Sequence, residues 1–192
     1  MRKVILYMLV TLDGFIAGPN GELDSFDVDD EMMQFANHFV STADAILFGR
    51  VAYEEFVSYW DALEPTTDAS ISEANIEFAS IFRNMTRIVF SRTLDRVEGN
   101  AFLIKDNIAA EVSKLKQQPG RDLVLICGPD LLSTFIQLGL IDEYVILVCP
   151  IVLGDGKPLF KNLQDKLQLK LLRTKVFNSG AVMLDYQPVE GA

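Results

Sequence analysis

Unbroken apolar runs alternate along this chain with stretches whose apolar residues recur at helical spacing. Val4 to Val10 is apolar throughout, the pattern of a strand covered on both faces. A glycine-rich loop through Gly14, Gly18 and Gly21 follows. Residues 29–40 then place Met32, Phe35, Ala36 and Phe39 on one helical face, with acids at the start to suit the helix dipole. Ala45 to Gly49 predicts a second strand, residues 50–60 a second helix, residues 64–70 a polar loop and residues 71–82 an amphipathic helix. Residues 87–91 and 101–104 predict two more strands. Residues 107–120 predict a helix with Lys114 and Lys116 in its last turns and a Pro-Gly stop. A fully apolar strand over 122–127 leads into a helix over 128–139, where Pro129 falls near the first turn and its missing N–H costs nothing. A strand over 142–150 and a long hairpin, 167–177 and 181–188 around Asn178, Ser179 and Gly180, close the chain. Strands alternating with helices and ending in a hairpin predict one α/β domain over residues 1–192. Its central sheet is mostly parallel, with an antiparallel C-terminal hairpin.

Ligands of open α/β sheets bind beyond the carboxyl ends of the strands, often at helix starts. Three predicted strand ends carry suitable groups: Gly49 and Arg50, then Ser91, Arg92 and Thr93, then Gly128 opening a helix. Glycine lets a backbone turn tightly or a ligand approach closely, and arginine presents a fixed cationic fork to phosphate. Neither a Gly-x-Gly-x-x-Gly fingerprint nor a Gly-Lys-Ser/Thr loop occurs, which disfavours a standard Rossmann site and an ordinary P-loop.

Composition narrows the partners. A net charge of −10 over 192 residues argues against non-specific binding to nucleic acid or an anionic membrane. Any phosphate must then be held by a few local cations. No apolar run reaches the ~20 residues of a membrane span, and the basic opening lacks a signal-peptide cleavage pattern, so a cytoplasmic protein is expected. Cys127 and Cys149 sit in separate apolar segments without metal-ligand spacing and read as buried reduced thiols, with no metal expected.

The motifs, taken in order, resemble the dihydrofolate reductase-like superfamily, and within it the branch related to the riboflavin-biosynthesis reductase domain. "VTLDGFIAGPNGELDSF" is similar to that branch's opening segment, "LFGRVAYEEF" to its Gly-Arg-x-Thr-Tyr/Trp-Glu cofactor turn, and "VFSRTL" to the strand end on the adenosine side. "CGPDLLSTFIQLGLIDEYVILVCPIVLGDGKPLF" resembles the Gly-Gly turn with its helix and the glycine-bearing segment beyond, and "FNSGAVMLDYQP" the closing hairpin. The resemblance implies a three-layer dihydrofolate reductase-like fold with NADPH as hydride donor. It implies Gly49 and Arg50 at cofactor phosphate, Ser91 and Arg92 around an adenosine 2′-phosphate, and Cys127, Gly128 and Pro129 as the turn facing the diphosphate. Two positions depart from the pattern. Ala52 replaces the threonine of the cofactor turn, and Cys127-Gly128 replaces a Gly-Gly pair that is cis in that fold.

Hydride transfer needs donor and acceptor held close and a proton supplied. The resemblance implies an acid near the start of the first helix, where Glu31 stands. Asp13, from the Asp-Gly turn, is the alternative acid and reads equally as a turn residue bonding local N–H groups. His38 reads as structural or surface, Tyr53 and Phe56 as core, Trp60 as partly buried, and Gly154 and Gly156 as turn glycines. The expected function is NADPH-dependent reduction of a small heterocyclic, pteridine- or pyrimidine-like substrate by a homodimer. The alternatives are a catalytically silent nucleotide-binding protein of the same fold, and a riboflavin-pathway reductase of a ribosyl-pyrimidine phosphate. The latter needs basic residues at the substrate end, where only Lys157 and Lys161 stand.

Overall fold

The structure is a computed structural model that describes residues 1–63 and 71–189. The polar loop expected over 64–70 lies outside the described residues. The chain divides into two compact units, Met1–Arg2 with Val28–Cys127 and Lys3–Asp27 with Gly128–Ala192.

In the first unit the strands β3 (Ala43–Gly49), β4 (Thr86–Phe90), β5 (Ala101–Ile104) and β6 (Asp122–Ile126) are all parallel, in the order β5-β4-β3-β6. Ile46, Leu47 and Phe48 on β3 are fully buried, as a continuous apolar strand between covered faces must be. Helix α1 (Asp30–Ser41) begins where Asp29 accepts the Met32 N–H at 2.8 Å. Helix α3 (Glu73–Asn84) begins at Ser72, whose hydroxyl accepts the Asn75 N–H at 3.3 Å. The core between these helices and the sheet is aromatic: Phe82 meets Phe48 edge-on at 6.1 Å and Phe56 at 5.8 Å. Helix α4 (Ile108–Gln117) ends with Lys114 and Lys116 in its last turn.

The helix expected over 50–60 is not uniform. Helix α2 (Arg50–Phe56) passes into a π-helical turn, Val57–Asp61. Two arginines hold the end of that wider turn. Arg83 Nη1 donates to the carbonyls of Trp60 (3.3 Å) and Leu63 (2.8 Å), and Arg87 Nη1 donates to Asp61 Oδ2 at 2.7 Å. Trp60 is half-buried and packs on Phe78 at 4.6 Å.

In the second unit β1 (Val4–Thr11) pairs in parallel with β7 (Glu143–Cys149). β10 (Val182–Pro188) runs antiparallel to β7 and to β9 (Leu169–Val176), the hairpin read from the sequence. Helix α5 (Pro129–Gln137) has Pro129 in its first turn. One feature of this unit departs from the expected loop. Phe15–Ala17 forms a short strand, β2, paired with Lys157–Pro158, β8. The pairing depends on Gly156, where a Cβ would collide with the Ala17 carbonyl oxygen.

The described residues contain no cis peptide bond, so Cys127–Gly128 is trans. No helix among them is long and apolar enough to cross a membrane.

Candidate functional site

In the first unit β4, β3 and β6 are neighbours in matched parallel register, Gly49 beside Phe90 and Phe48 beside Ile126. Their carboxyl ends therefore lie along one edge, and the residues that follow them in sequence are Arg50, Ser91 and Cys127. Gly49 is the N-cap of α2 and supplies no side-chain cap. Arg50 is exposed and ion-pairs with Glu54 at 2.8 Å. Ala52, where the resemblance expects threonine, is half-buried.

Ser91 builds the loop it begins. Its hydroxyl accepts the N–H groups of Thr93 (3.2 Å) and Leu94 (3.1 Å) and lies 3.3 Å from the Thr93 hydroxyl. Arg92 is exposed and, among the described residues, makes no hydrogen bond or ion pair. Cys127 is 1% exposed, and burial pushes its thiol well above the ordinary thiol range. Glu31 is half-buried in the first turn of α1, and His38 is exposed near the end of that helix.

Tyr53 has a role that its place among the core residues did not suggest. Its ring is buried and tilts against Phe48 at 6.3 Å. Its hydroxyl donates to the Glu98 carbonyl at 3.5 Å and accepts the Glu98 N–H at 3.3 Å. Periodicity gives only the buried face; the polar tip of a tyrosine normally finds a partner when buried, and that rule was the available signal.

In the second unit Asp13 is a latch. Its carboxylate accepts the Thr11 hydroxyl at 2.6 Å, the Leu153 N–H at 3.2 Å and the Gly154 N–H at 2.7 Å. The Thr11 hydroxyl in turn accepts the Phe15 N–H at 2.9 Å. Gly14 completes the turn at φ +89°, a conformation that favours glycine. The Thr11 and Gly154 donors hold the Asp13 carboxyl below its ordinary range, because they bind the ionised form. Leu153 carries no signal in the sequence because it lies 140 positions from Asp13, whereas Thr11, two residues before the acid, is the local hydroxyl partner that a turn aspartate commonly takes.

Gly128 is the N-cap of α5 and provides no side-chain cap, and a Cβ there would meet only open space. Pro129 follows at the start of the helix. Lys161 is paired with Asp130 at 2.8 Å, and the Asn20 side chain foremost, with the Lys157 charge a lesser cause, holds the Glu22 carboxyl below its ordinary range. Among the described residues, no three of His, Cys, Asp or Glu are grouped to hold a metal ion.

The chain is similar to known proteins over nearly its whole length. The chain is 40% identical over 185 residues to the uncharacterized protein YyaP of Bacillus subtilis, covering 96% of this chain and 94% of the relative. It superposes with a TM-score of 0.75 and 24% identity on the crystal structure of a Shewanella sp. PV-4 protein named for riboflavin biosynthesis, covering 98% of this chain and 100% of that one. Dihydrofolate reductase from Enterococcus faecalis, solved with NADP(H) and RAB-propyl, shares the fold with a TM-score of 0.65 and 13% identity over 98% of this chain and 97% of that one. The family model of the RibD C-terminal domain matches residues 2–183, and this chain belongs to that family of reductase-like α/β domains.

Proposed function

We propose that this protein is an NADPH-dependent reductase that transfers hydride to a small heterocyclic, pteridine- or pyrimidine-like substrate. The observation that carries the reading is Arg92. It is an exposed guanidinium with no partner among the described residues, at the carboxyl end of a parallel strand, in a chain of net charge −10. In a field that repels anions, such a cation suits a phosphate group, to which it forms the stronger, charge-assisted bonds. NADPH, when bound, supplies the hydride. Ser91 shapes the loop that presents Arg92, and Arg50, one strand over, is the second cation available to cofactor phosphate.

Of the two candidate acids, Glu31 is preferred as the proton source. Asp13 has its carboxylate oxygens engaged by three donors of its own turn and of residues 153–154. The same engagement of Asp13 favours a second reading, a silent nucleotide-binding protein. NADPH oxidation with a panel of reducible pteridines and pyrimidines separates the two. Glu31→Gln should then lower turnover and leave NADPH affinity unchanged. A ribosyl-pyrimidine phosphate fits less well, since Lys161, one of the two lysines at the substrate end, is tied to Asp130.

Calorimetric titration tests the cofactor. Arg92→Ala should weaken NADPH by about 10- to 100-fold, the range for a lost hydrogen bond to a charged group, and barely change NADH. Equal losses for both dinucleotides would sink the assignment.

A further inference from the structure

Ten residues, Ser91 to Asn100, link β4 to β5, and Arg92 is the second of them. A loop of that length holds one shape only if its interior backbone is tied down, because each free residue carries conformational entropy. Its two ends are tied. The Ser91 N–H donates to the Ile104 carbonyl at 3.1 Å, and the Asn100 carbonyl accepts the Arg87 N–H at 2.9 Å. The Ser91 hydroxyl fixes only the first turn, through Thr93 and Leu94. Arg96 and Glu98 pair at 3.5 Å, but both are about four-fifths exposed, and such a pair constrains little.

The remaining tie comes from outside the loop. The Tyr53 hydroxyl meets both the N–H and the carbonyl of Glu98, as donor to one and acceptor from the other. Tyr53 is itself buried, 7% exposed, with its ring packed against Phe48. It also sits three residues beyond Arg50 on α2. The helix that begins with one of the two cations therefore grips the loop that begins with the other.

We propose that Tyr53 is a positioning residue that sets the placement of Arg92 relative to Arg50, and thereby the preference for a dinucleotide carrying a 2′-phosphate. The inference rests on the cofactor reading above and adds to it the residue that determines specificity. The ring serves the core, and the hydroxyl serves the loop. Removing the hydroxyl alone separates the two roles, so Tyr53→Phe is the informative substitution.

Two measurements on the full chain test it. Amide hydrogen exchange without any nucleotide should show faster exchange in Tyr53→Phe over residues 91–99, with β3 and α2 unchanged. Titration should show NADPH affinity falling about five- to tenfold, the two lost hydrogen bonds being expressed only in part through the loop, with NADH affinity held within about twofold. Arg92→Ala should give the same loss of preference, and the double variant should lose little more than Arg92→Ala does. Unchanged exchange over 91–99, or equal loss of NADPH and NADH in Tyr53→Phe, overturns the positioning role. If Arg92→Ala itself leaves the preference unchanged, the 2′-phosphate reading fails and this inference falls with it. A loss of preference in Arg92→Ala but not in Tyr53→Phe overturns the inference alone.

Discussion

Arg50 and Glu54 face each other across one turn of α2, with Nη1 donating to Oε2 at 2.8 Å and both side chains nearly half exposed. The arginine that ends the Gly-Arg turn thus has an intrahelical partner, and a phosphate would compete with Glu54 for it. An exposed i,i+4 pair contributes about 0.3–0.5 kcal/mol, so Arg50→Ala should scarcely change the melting temperature. The same substitution should weaken NADPH by roughly tenfold or more, as loss of a charged hydrogen bond does. Glu54→Gln should tighten NADPH slightly by freeing the guanidinium. A large fall in Tm for Arg50→Ala without nucleotide would instead make it a structural arginine.

Asp44 predicts an acid-sensitive contact in the first unit. Its carboxylate accepts Arg121 Nε at 2.8 Å and the Arg121 N–H at 2.7 Å, with Arg2 Nη2 at 3.6 Å. The Arg121 side chain foremost, then its backbone N–H, holds the carboxyl below its ordinary value of 3.8. The unfolded chain therefore takes up this proton at higher pH than the folded chain. The stabilisation is complete above that ordinary value and is lost as pH falls through the lower folded value. Asp44→Asn should melt below wild type at neutral pH, and the gap should narrow as pH drops below about 3.8. A gap independent of pH would show that the carboxylate's charge contributes nothing there.

Both cysteines are free and 1% exposed. Burial raises both thiols, Cys149 to about 11, and the thiolate is the reactive form. Native protein should therefore show no fast-reacting thiol toward an aromatic disulfide reagent at mildly alkaline pH, and two after denaturation. One rapid equivalent from folded protein would contradict the buried placement.

The edge strand β9 supports the proposed homodimer. Three basic residues along it, Lys170, Arg173 and Lys175, would blunt an edge if they faced solvent freely. Lys170 is exposed; Arg173, its side chain 63% exposed, has its charge engaged by Asp185 at 2.5 Å and Glu143 at 3.8 Å, and Lys175 lies over the Phe177 ring at 4.7 Å. Leu171, Leu172 and Val176 are left exposed on the same strand. An apolar edge of that length favours a covering partner, and a two-fold pair is the commonest solution. Light scattering at micromolar concentration should give a mass near twice 21.5 kDa. Leu172→Lys should shift it toward the single-chain value. A wild-type mass of one chain would refute the pairing.

Much of this molecule is legible in its residues alone. The apolar runs at Val4 to Val10, residues 45–49 and residues 122–127 become strands because a continuous apolar segment is stable only when covered on both faces. The closing hairpin follows from its two strand patterns and a Gly180 turn at φ +83°. The Gly-Arg and Ser-Arg strand ends were equally visible, where β3 ends at Gly49 and β4 at Phe90.

Tertiary structure alone decided which side chains are spent on the fold and which are left for chemistry. Asp13 looked like an acid or a turn residue, and its third donor comes from Gly154, 141 positions away. Phe15–Ala17 read as loop because a three-residue strand carries no period of its own, and its partner Lys157–Pro158 is remote in sequence. Tyr53 read as core because helical spacing records the ring's face and says nothing of where a hydroxyl ends. Local pattern is set by whether a residue faces solvent or core, which neighbours in sequence encode. The partner of a hydrogen bond is set by chain segments that meet only on folding.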